Sequence, residues 1–564
     1  MNAPEIINSL SAQEAALVMG KRSVHDNVSE RALRLFERAR TSGNPRVALE
    51  RAVYFTESFK QTEGLNITLR WAKALLHTTQ NISINIFADE LIVGRPNNWF
   101  GKHGIIYPEL GGSLMLNAIE AFAQAMTKGS PDAVVITADD EKIIREVLAP
   151  YWTGRDFTPH FIQALPDEAR NYSFGPDKTN IFRQTAVIMS SQSMRSSQNW
   201  IIDFSKIMKH GCAGIRAEAQ ARLEAMTNPI VRVENGPFLE AVITTCNAMT
   251  TWARRYAEKA REIAASESNA QRKAELLEIA DVCARVPEQP CQSFREAMQV
   301  QWFCQCMSRL EEMIGGDIGQ GRMDQYLWPY YKADIESGRL TEEKAIELFH
   351  CLWINMMQYI QLNLSPTAAA GREGFSHHET ATIGGQTREG EDATNELSYV
   401  LLESTRGLRT SYPELAARIH SNTPERFLHA VVEANKDGKG SPKIINDESV
   451  VPFYLSHGIS VADALDYAAS GCMEARLPNI ETHKTGNSAV NYGSIIEMTL
   501  RNGRIKIFGD HQFGPQTGDP RVWTCFDQVW NAFRIQTENV LRNILIENAI
   551  GRQLKPRYFA SPFA

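Results

Sequence analysis

The strongest constraint on this chain is a change in its hydrophobic period. Over about the first 350 residues, apolar side chains recur at three- and four-residue spacing, the pattern of amphipathic helices with one buried face. SERALRLFERAR, LRWAKALLHTTQ, NAIEAFAQAMT and TTWARRYAEKAREIAA are examples. From about Ala381 the texture alters. Short strand-like runs (ETATIGG, PELAARIH, PKIIND, ALDYAAS) now alternate with helical stretches such as NELSYVLLESTRG and PERFLHAVVEANKDG. Such alternation favours an α/β architecture with a closed or open sheet.

Other segments read less simply. PRVALERAVYFTESF has helical spacing throughout, and SINIFADELIVG is a strand-like insertion among the helices. EEKAIELFHCLWINMMQYIQL reads as one helix stopped at Pro366. After the helical FDQVWNAFRIQTENVLRNILIENAIGRQ, the chain enters RYFASPFA, an apolar, strand-like run. A natural terminus is usually polar or frayed, so this one suggests a structure cut before its continuation, with an unpaired strand edge, against the alternative of a docked terminal strand. No internal repeat and no Gly-, Pro- or Ser-rich linker divides the sequence. One continuous domain over 1–564 is expected, helix-rich over about 1–350, with a second half over about 351–564.

Hydrophobic residues make up 43% and charged residues 22%, a globular composition. The net charge is −7 and no long basic run is present, which disfavours a nucleic-acid partner. Glu5 and Glu14 fall where a secretory signal would be basic and then apolar, and no stretch of about 18 apolar residues offers a membrane span. A cytoplasmic protein is expected. The 9 cysteines are too irregularly spaced for a disulfide framework. Cys304 and Cys306 lie in QVQWFCQCMSRL, which reads as a buried helix rather than a metal site.

The densest candidate for chemistry is DYAASGCMEARLPNIETHKTG. Gly471 allows close backbone approach, and in an extended segment Cys472 and Glu474 project to the same side. A thiol in a pocket can serve as nucleophile, metal ligand or hydrogen-atom donor and acceptor, and a neighbouring carboxylate can move protons. Residue types alone leave these open, along with the plain alternative of a buried cysteine beside a surface carboxylate. His483 is the only imidazole nearby.

SGCMEARLPNIETHKTGNSAVNYGSIIEMTLRNGR resembles the active-site cysteine loop of the glycyl radical enzymes of the pyruvate formate-lyase superfamily. The resemblance extends, in the family's order, through TESFKQTEG, RWAKALL, FADELIVG, GRMDQYLWPYY, TIGGQTREGEDATNELSYVLLES, YPELAARIHSNTP and GSPKIINDE. It implies a ten-stranded α/β barrel around two central loops, incomplete here at the C-terminal side. Cys472 is then the thiyl residue that takes hydrogen from substrate, and Glu474 moves a proton. No metal is implied. The radical itself would sit on a glycine, installed by an S-adenosylmethionine iron–sulfur activating enzyme. The family's Arg-Val-x-Gly-aromatic string does not occur in these residues. The C-terminal glycine radical domain is therefore expected to be absent, with a second chain as its possible source.

Met473 follows Cys472 where pyruvate formate-lyase has a second cysteine, which disfavours acyl transfer to coenzyme A. The Gly-Cys-x-Glu-x-Arg-x-Pro form, with Arg476 and Pro478, is more similar to the arylacetate decarboxylases, so decarboxylation of a small carboxylate is the first expectation. A dehydratase or sulfite-releasing lyase with the same radical machinery is the alternative, and an inactive truncated remnant is the third reading. Substrate contacts are expected from Arg195, Gln198 and Asn199 in SMRSSQNW and from His483. Arg195 suits a carboxylate or sulfonate by a bidentate contact, against the plain reading of a surface arginine. His377 and His378 are equally ambiguous. In GRMDQYLWPYY, Tyr326 and Tyr330 should pack near the barrel while Arg322 and Asp324 anchor it. A homo-oligomer is expected.

Overall fold

The computed structural model describes residues 27–127, 129, 133–174, 187–190, 200–311, 318–360, 362, 379–408, 410, 412–471, 473–478, 480–481, 488–560 and 563. Twelve short strands are defined among the described residues: β1 (Arg46–Ala48), β2 (His103–Ile105), β3 (Ile188–Ser190), β4 (Trp200–Ile201), β5 (Ile318–Gly319), β6 (Gly321–Arg322), β7 (Thr380–Gly384), β8 (Glu414–Ile419), β9 (Lys443–Asn446), β10 (Ala468–Ser470), β11 (Glu474–Arg476) and β12 (Ser488–Val490).

Two parallel arrays carry the architecture. In one, β1 pairs with β2, and isolated parallel bridges add Val135 beside Arg46 and Tyr359 beside His103. The other is made of two sheets that adjoin along the chain, the pair of β4 and β5 and the four strands β6, β7, β8 and β9 in that order, all parallel. Parallel neighbours need long crossovers, and here they are helices. Glu396–Gly407 joins β7 to β8 and Glu425–Asn435 joins β8 to β9. The side chain of Asn395 opens the first of these by accepting from the Leu397 N–H.

Alternation along the strands sorts their side chains. Ala381 and Ile383 of β7, with Leu415 and Ala417 of β8, join the main core with Leu397, Leu401 and Phe427 of the crossover helices. Thr380, Thr382, Ala416 and Arg418 fall on the opposite face and are also fully buried. A sheet buried on both faces must be covered twice. Helices cover the outer face, and the hairpin of β10 and β11 lies against the inner one. The long helix Phe294–Glu311, buried almost all round, runs through the centre of the core and holds Cys304 and Cys306.

Several readings need correction. PRVALERAVYFTESF divides into β1 and the helix Glu50–Gln61, because a strand of three residues is too short to break a helical period. SINIFADELIVG is irregular, its apolar side chains Ile86, Leu91, Ile92 and Val93 buried without a strand ladder. The helix Glu342–Gln358 ends where Tyr359 joins the first array, and Pro366 lies outside the described residues. RYFASPFA is not a strand where it is described. Lys555–Arg557 forms a helical turn, the Trp71 indole donates to the Tyr558 carbonyl at 3.1 Å, and Phe559 is buried with its ring 5.2 Å from that of Phe157. Aromatic packing fixes this segment rather than sheet pairing. No helix among the described residues is long and apolar enough to cross a membrane.

Candidate active site

The candidate site is built on β10 and β11, an antiparallel pair in which Ala468 faces Arg476, Ala469 faces Ala475 and Ser470 faces Glu474. Gly471 begins the connection with φ of 57°, a left-handed conformation that glycine enters without the Cβ penalty. Cys472 lies outside the described residues, while Gly471 and Met473, its neighbours in sequence, lie within them. The strands on either side of it, β10 and β11, are described.

Three sets of polar contacts hold this hairpin to the inner face of the sheet. The Thr382 hydroxyl oxygen accepts from the Ala469 N–H at 2.9 Å, and the Thr380 hydroxyl donates to the Gly471 carbonyl at 2.5 Å. Thr380, Thr382, Ala469 and Ser470 are all fully buried. Without these hydroxyls the Ala469 amide of β10 and the Gly471 carbonyl just after it would lose these partners inside the protein, at about 1–3 kcal/mol each. On the neighbouring strand, the Ser470 hydroxyl donates to the Trp200 carbonyl at 3.2 Å. Gly319 makes that approach possible: a Cβ there would stand 2.9 Å from the Ser470 Cβ and 2.8 Å from Ile201.

The third set anchors the root of the hairpin. The Arg418 guanidinium donates to the carbonyls of Tyr467 at 2.7 Å and Leu465 at 2.9 Å, and to both carboxylate oxygens of Asp447 at 2.8 Å. The Tyr467 hydroxyl donates to Asp447 at 2.6 Å, and its ring lies 3.8 Å below the guanidinium carbon. Burial pushes the Asp447 carboxyl up, but its hydrogen bonds and charge contact with Arg418, and the bonds from Tyr467 and Gln386, outweigh it and leave the pKa below the usual value. Arg322 adds contacts to Asp466 at 3.1 Å and to the Gly384 carbonyl at 3.2 Å. Burial and the nearby Arg418 charge lower its pKa.

Among the expected site residues, Glu474 is placed on β11, partly exposed, with a carboxylate oxygen accepting from the Met473 N–H at 3.1 Å. Arg476 pairs with Glu481 at 3.4 Å. Arg195, Gln198, Asn199, His377, His378 and His483 lie, like Cys472, outside the described residues. The reading of GRMDQYLWPYY agrees with the structure. Asp324 accepts from the Gly384 N–H and the Ser398 hydroxyl, Tyr326 stacks on Phe204 at 5.0 Å, and Tyr330 packs against the core. Thr380, Thr382, Arg418 and Asp447 were missed. The one available signal was Thr-Ala-Thr-Ile on a strand buried on both faces, where alternate threonines demand polar partners.

Beside the hairpin, a cleft of about 830 Å³ opens between β4, the helices Phe204–Ala225 and Pro229–Ser266, and the segment after β11. Its apolar wall includes Ile201, Leu239 and Phe559. At its rim Glu218 pairs with Lys206 at 3.0 Å and with Arg222 at 2.7 Å. No group of three or more His, Cys, Asp or Glu among the described residues is placed to hold a metal ion.

This arrangement is a parallel α/β wall with the hairpin of β10 and β11 on its inner face. Residues 26–564 match the family described as pyruvate formate lyase-like. An isethionate sulfite-lyase of Oleidesulfovibrio alaskensis is 44% identical over 520 residues, covering 92% of this chain and 62% of that protein. The 4-hydroxyphenylacetate decarboxylase glycyl radical subunit of Clostridioides difficile is 24% identical, with 86% and 58% covered. Among solved structures, the glycerol-bound B12-independent glycerol dehydratase of Clostridium butyricum superposes with a TM-score of 0.86 at 30% identity, covering 95% of this chain and 65% of that one. The chain belongs to the pyruvate formate lyase-like family of glycyl radical enzymes and has their barrel fold. It spans less than two thirds of the length of each of these three relatives.

Proposed function

We propose that this chain is the cysteine-bearing part of a glycyl radical lyase that cleaves a carbon–sulfur bond and releases sulfite from a small hydroxyalkanesulfonate such as isethionate. The observation that carries this reading is the 44% identity to an isethionate sulfite-lyase across 92% of the chain. The decarboxylase match is far more distant, so the sulfite-releasing alternative is better supported than the decarboxylation expected first.

Cys472 and Glu474 divide the chemistry. A Cys472 thiyl takes a hydrogen atom from the hydroxyl-bearing carbon, so a C–H bond breaks and an S–H bond forms. The hydroxyl proton passes to the Glu474 carboxylate as the C–S bond breaks, and the bonding pair leaves with sulfite. The remaining carbon radical recovers the hydrogen atom from the Cys472 thiol, giving the aldehyde and restoring the thiyl. The oxidising equivalent comes from the glycyl radical that activating enzymes of the S-adenosylmethionine type install in this family. Because these 564 residues contain no Arg-Val-x-Gly-aromatic string, that glycine is supplied by other sequence, in the same polypeptide or in a second one. Arg195, Gln198, Asn199 and His483 are proposed to hold the sulfonate and hydroxyl.

The test is an anaerobic substrate panel. The chain is combined with a glycyl-bearing C-terminal segment from a relative, the activating enzyme and S-adenosylmethionine, then given isethionate, a 1,2-diol or an arylacetate. Sulfite from isethionate well above the other two turnovers supports the proposal. Carbon dioxide from the arylacetate as the dominant product returns the reading to decarboxylation, and no turnover of any substrate favours the inactive remnant.

A further inference from the structure

Two cysteines face each other between the helices that wall the cleft. Leu223 of the helix Phe204–Ala225 packs with Leu239 of the helix Pro229–Ser266, and a short turn joins the two, so they run antiparallel. Counting back along the first helix and forward along the second brings Cys212 and Arg216 opposite Cys246 and Thr250. The members of each pair are four residues apart on their own helix and therefore share a face. Glu288 closes the group. Its carboxylate pairs with the Arg216 guanidinium and accepts from the Thr250 hydroxyl at 2.9 Å.

Both cysteines are free thiols, and both line the cleft of about 830 Å³. The backbone at Cys212 is pinned: its N–H donates to the Pro287 carbonyl at 2.8 Å, and the Ala213 N–H donates to the Glu288 carbonyl at 3.0 Å. The Cys212 thiol is in hydrogen-bonding contact with the Cys246 sulfur. That bond, together with the Arg216 charge, outweighs burial and holds the Cys246 thiol below the usual cysteine value. The same contact and burial push the Cys212 thiol up. One sulfur is thus inclined to ionise beside a partner that keeps its proton. At Cys283 and Cys351, by contrast, burial pushes the thiol up to about 12, and such sulfurs are inert.

We propose that Cys212 and Cys246 are a redox-active pair that hydrogen peroxide entering the cleft converts into a disulfide between the two helices. The Cys246 thiolate attacks one peroxide oxygen, so an S–O bond forms, the O–O bond breaks, and the departing hydroxide takes up the thiol proton as water. The Cys212 sulfur then displaces the hydroxyl of the Cys246 sulfenic acid. An S–S bond forms, the S–O bond breaks, and the Cys212 proton leaves with the hydroxyl as a second water. Two thiols lose two electrons and two protons, and one hydrogen peroxide becomes two waters. A dithiol reductant reverses the reaction by thiol–disulfide exchange. Nothing in this proposal depends on the reading of Cys472.

The test uses the folded 564-residue chain, reduced and then freed of reductant under anaerobic conditions. It is titrated with hydrogen peroxide, and the remaining thiols are blocked with N-ethylmaleimide. Trypsin leaves the two cysteines in separate peptides, 210–216 and 233–254, so the bridge is read by mass spectrometry as one linked species that dithiothreitol separates. The exposed Cys525 serves as an internal reference. The linked species is expected to form several-fold faster than Cys525 is oxidised. In Cys212→Ser, which lacks the second thiol, the sulfenic acid should persist at Cys246 and be trapped there by dimedone. Recovery of both peptides unlinked and maleimide-labelled, at peroxide levels that have already oxidised Cys525, would overturn the proposal. So would a wild-type chain that accumulates Cys246 sulfenic acid without forming the link.

Discussion

Arg418 and Asp447 form a two-pronged ion pair with both nitrogen–oxygen distances at 2.8 Å and both side chains closed off from solvent. The same guanidinium reaches the carbonyls of Leu465 and Tyr467, so the pair ties β8 directly to the root of the cysteine hairpin. Replacing Arg418 by methionine leaves a buried, uncompensated carboxylate and two unbonded carbonyls. A loss of about 3–5 kcal/mol in unfolding free energy is expected by chemical denaturation. Arg418→Lys should recover little, since a single ammonium cannot reproduce the fork. A lysine variant as stable as wild type would remove the fork from the account.

The pair also sets a pH dependence. The Asp447 pKa is lowered in the folded state, so its stabilising contribution is fully present above the ordinary aspartate value, about 3.9, and is lost as pH falls through the folded value. The melting temperature of the wild type should therefore decline below about pH 4, and Asp447→Asn should be less stable at neutral pH with a shallower acid decline. Parallel acid limbs for the two proteins would show that Asp447 is not the group responsible.

The docking of Phe559 can be tested by truncation to alanine. Its ring lies 5.2 Å from Phe157 and 6.2 Å from Trp71, and its amide donates to the Lys555 carbonyl at 2.9 Å. Phe559→Ala should cost about 3–5 kcal/mol and abolish hydrogen-exchange protection at 558–560. Wild-type amides there that already exchange as fast as free chain would contradict the docked conformation.

Much of this fold was legible because periodicity survives over long segments. The runs ETATIGG, PELAARIH and PKIIND hold β7, β8 and β9, only the end of ALDYAAS is strand, as β10, because Ala464 and Leu465 close a short helix, and the helical stretches around Trp71 and Trp252 form helices. β1 was hidden because three residues cannot display a period of two beside a helix of twelve. The anchor was hidden for another reason: Arg418 finds Asp447 29 residues away and the Tyr467 carbonyl 49 away, separations at which no local pattern constrains the partner. Family resemblance singled out Cys472 and Glu474 as candidates, which residue types alone left ambiguous. It did not locate the threonines behind them, whose role depends on how β10 lies across β7.

Glu474 stands opposite Ser470 on the hairpin, and in the proposed reaction it takes the hydroxyl proton of the substrate. Glu474→Gln preserves size and hydrogen-bonding capacity without a proton acceptor. Its kcat for sulfite release should fall by about 100-fold or more, with KM changing much less. If kcat is retained and only KM rises, Glu474 binds substrate and another group moves the proton.

The sulfur of Cys472 is proposed to carry the radical chemistry. The most direct test compares wild type and Cys472→Ser in the same activated assembly, recording sulfite release from isethionate together with the electron paramagnetic resonance signal of the glycyl radical. The serine variant is expected to keep the glycyl signal and release no sulfite above the uncatalysed background, because an O–H bond is too strong to exchange hydrogen in place of S–H. Sulfite release by Cys472→Ser at a rate comparable to wild type would contradict it.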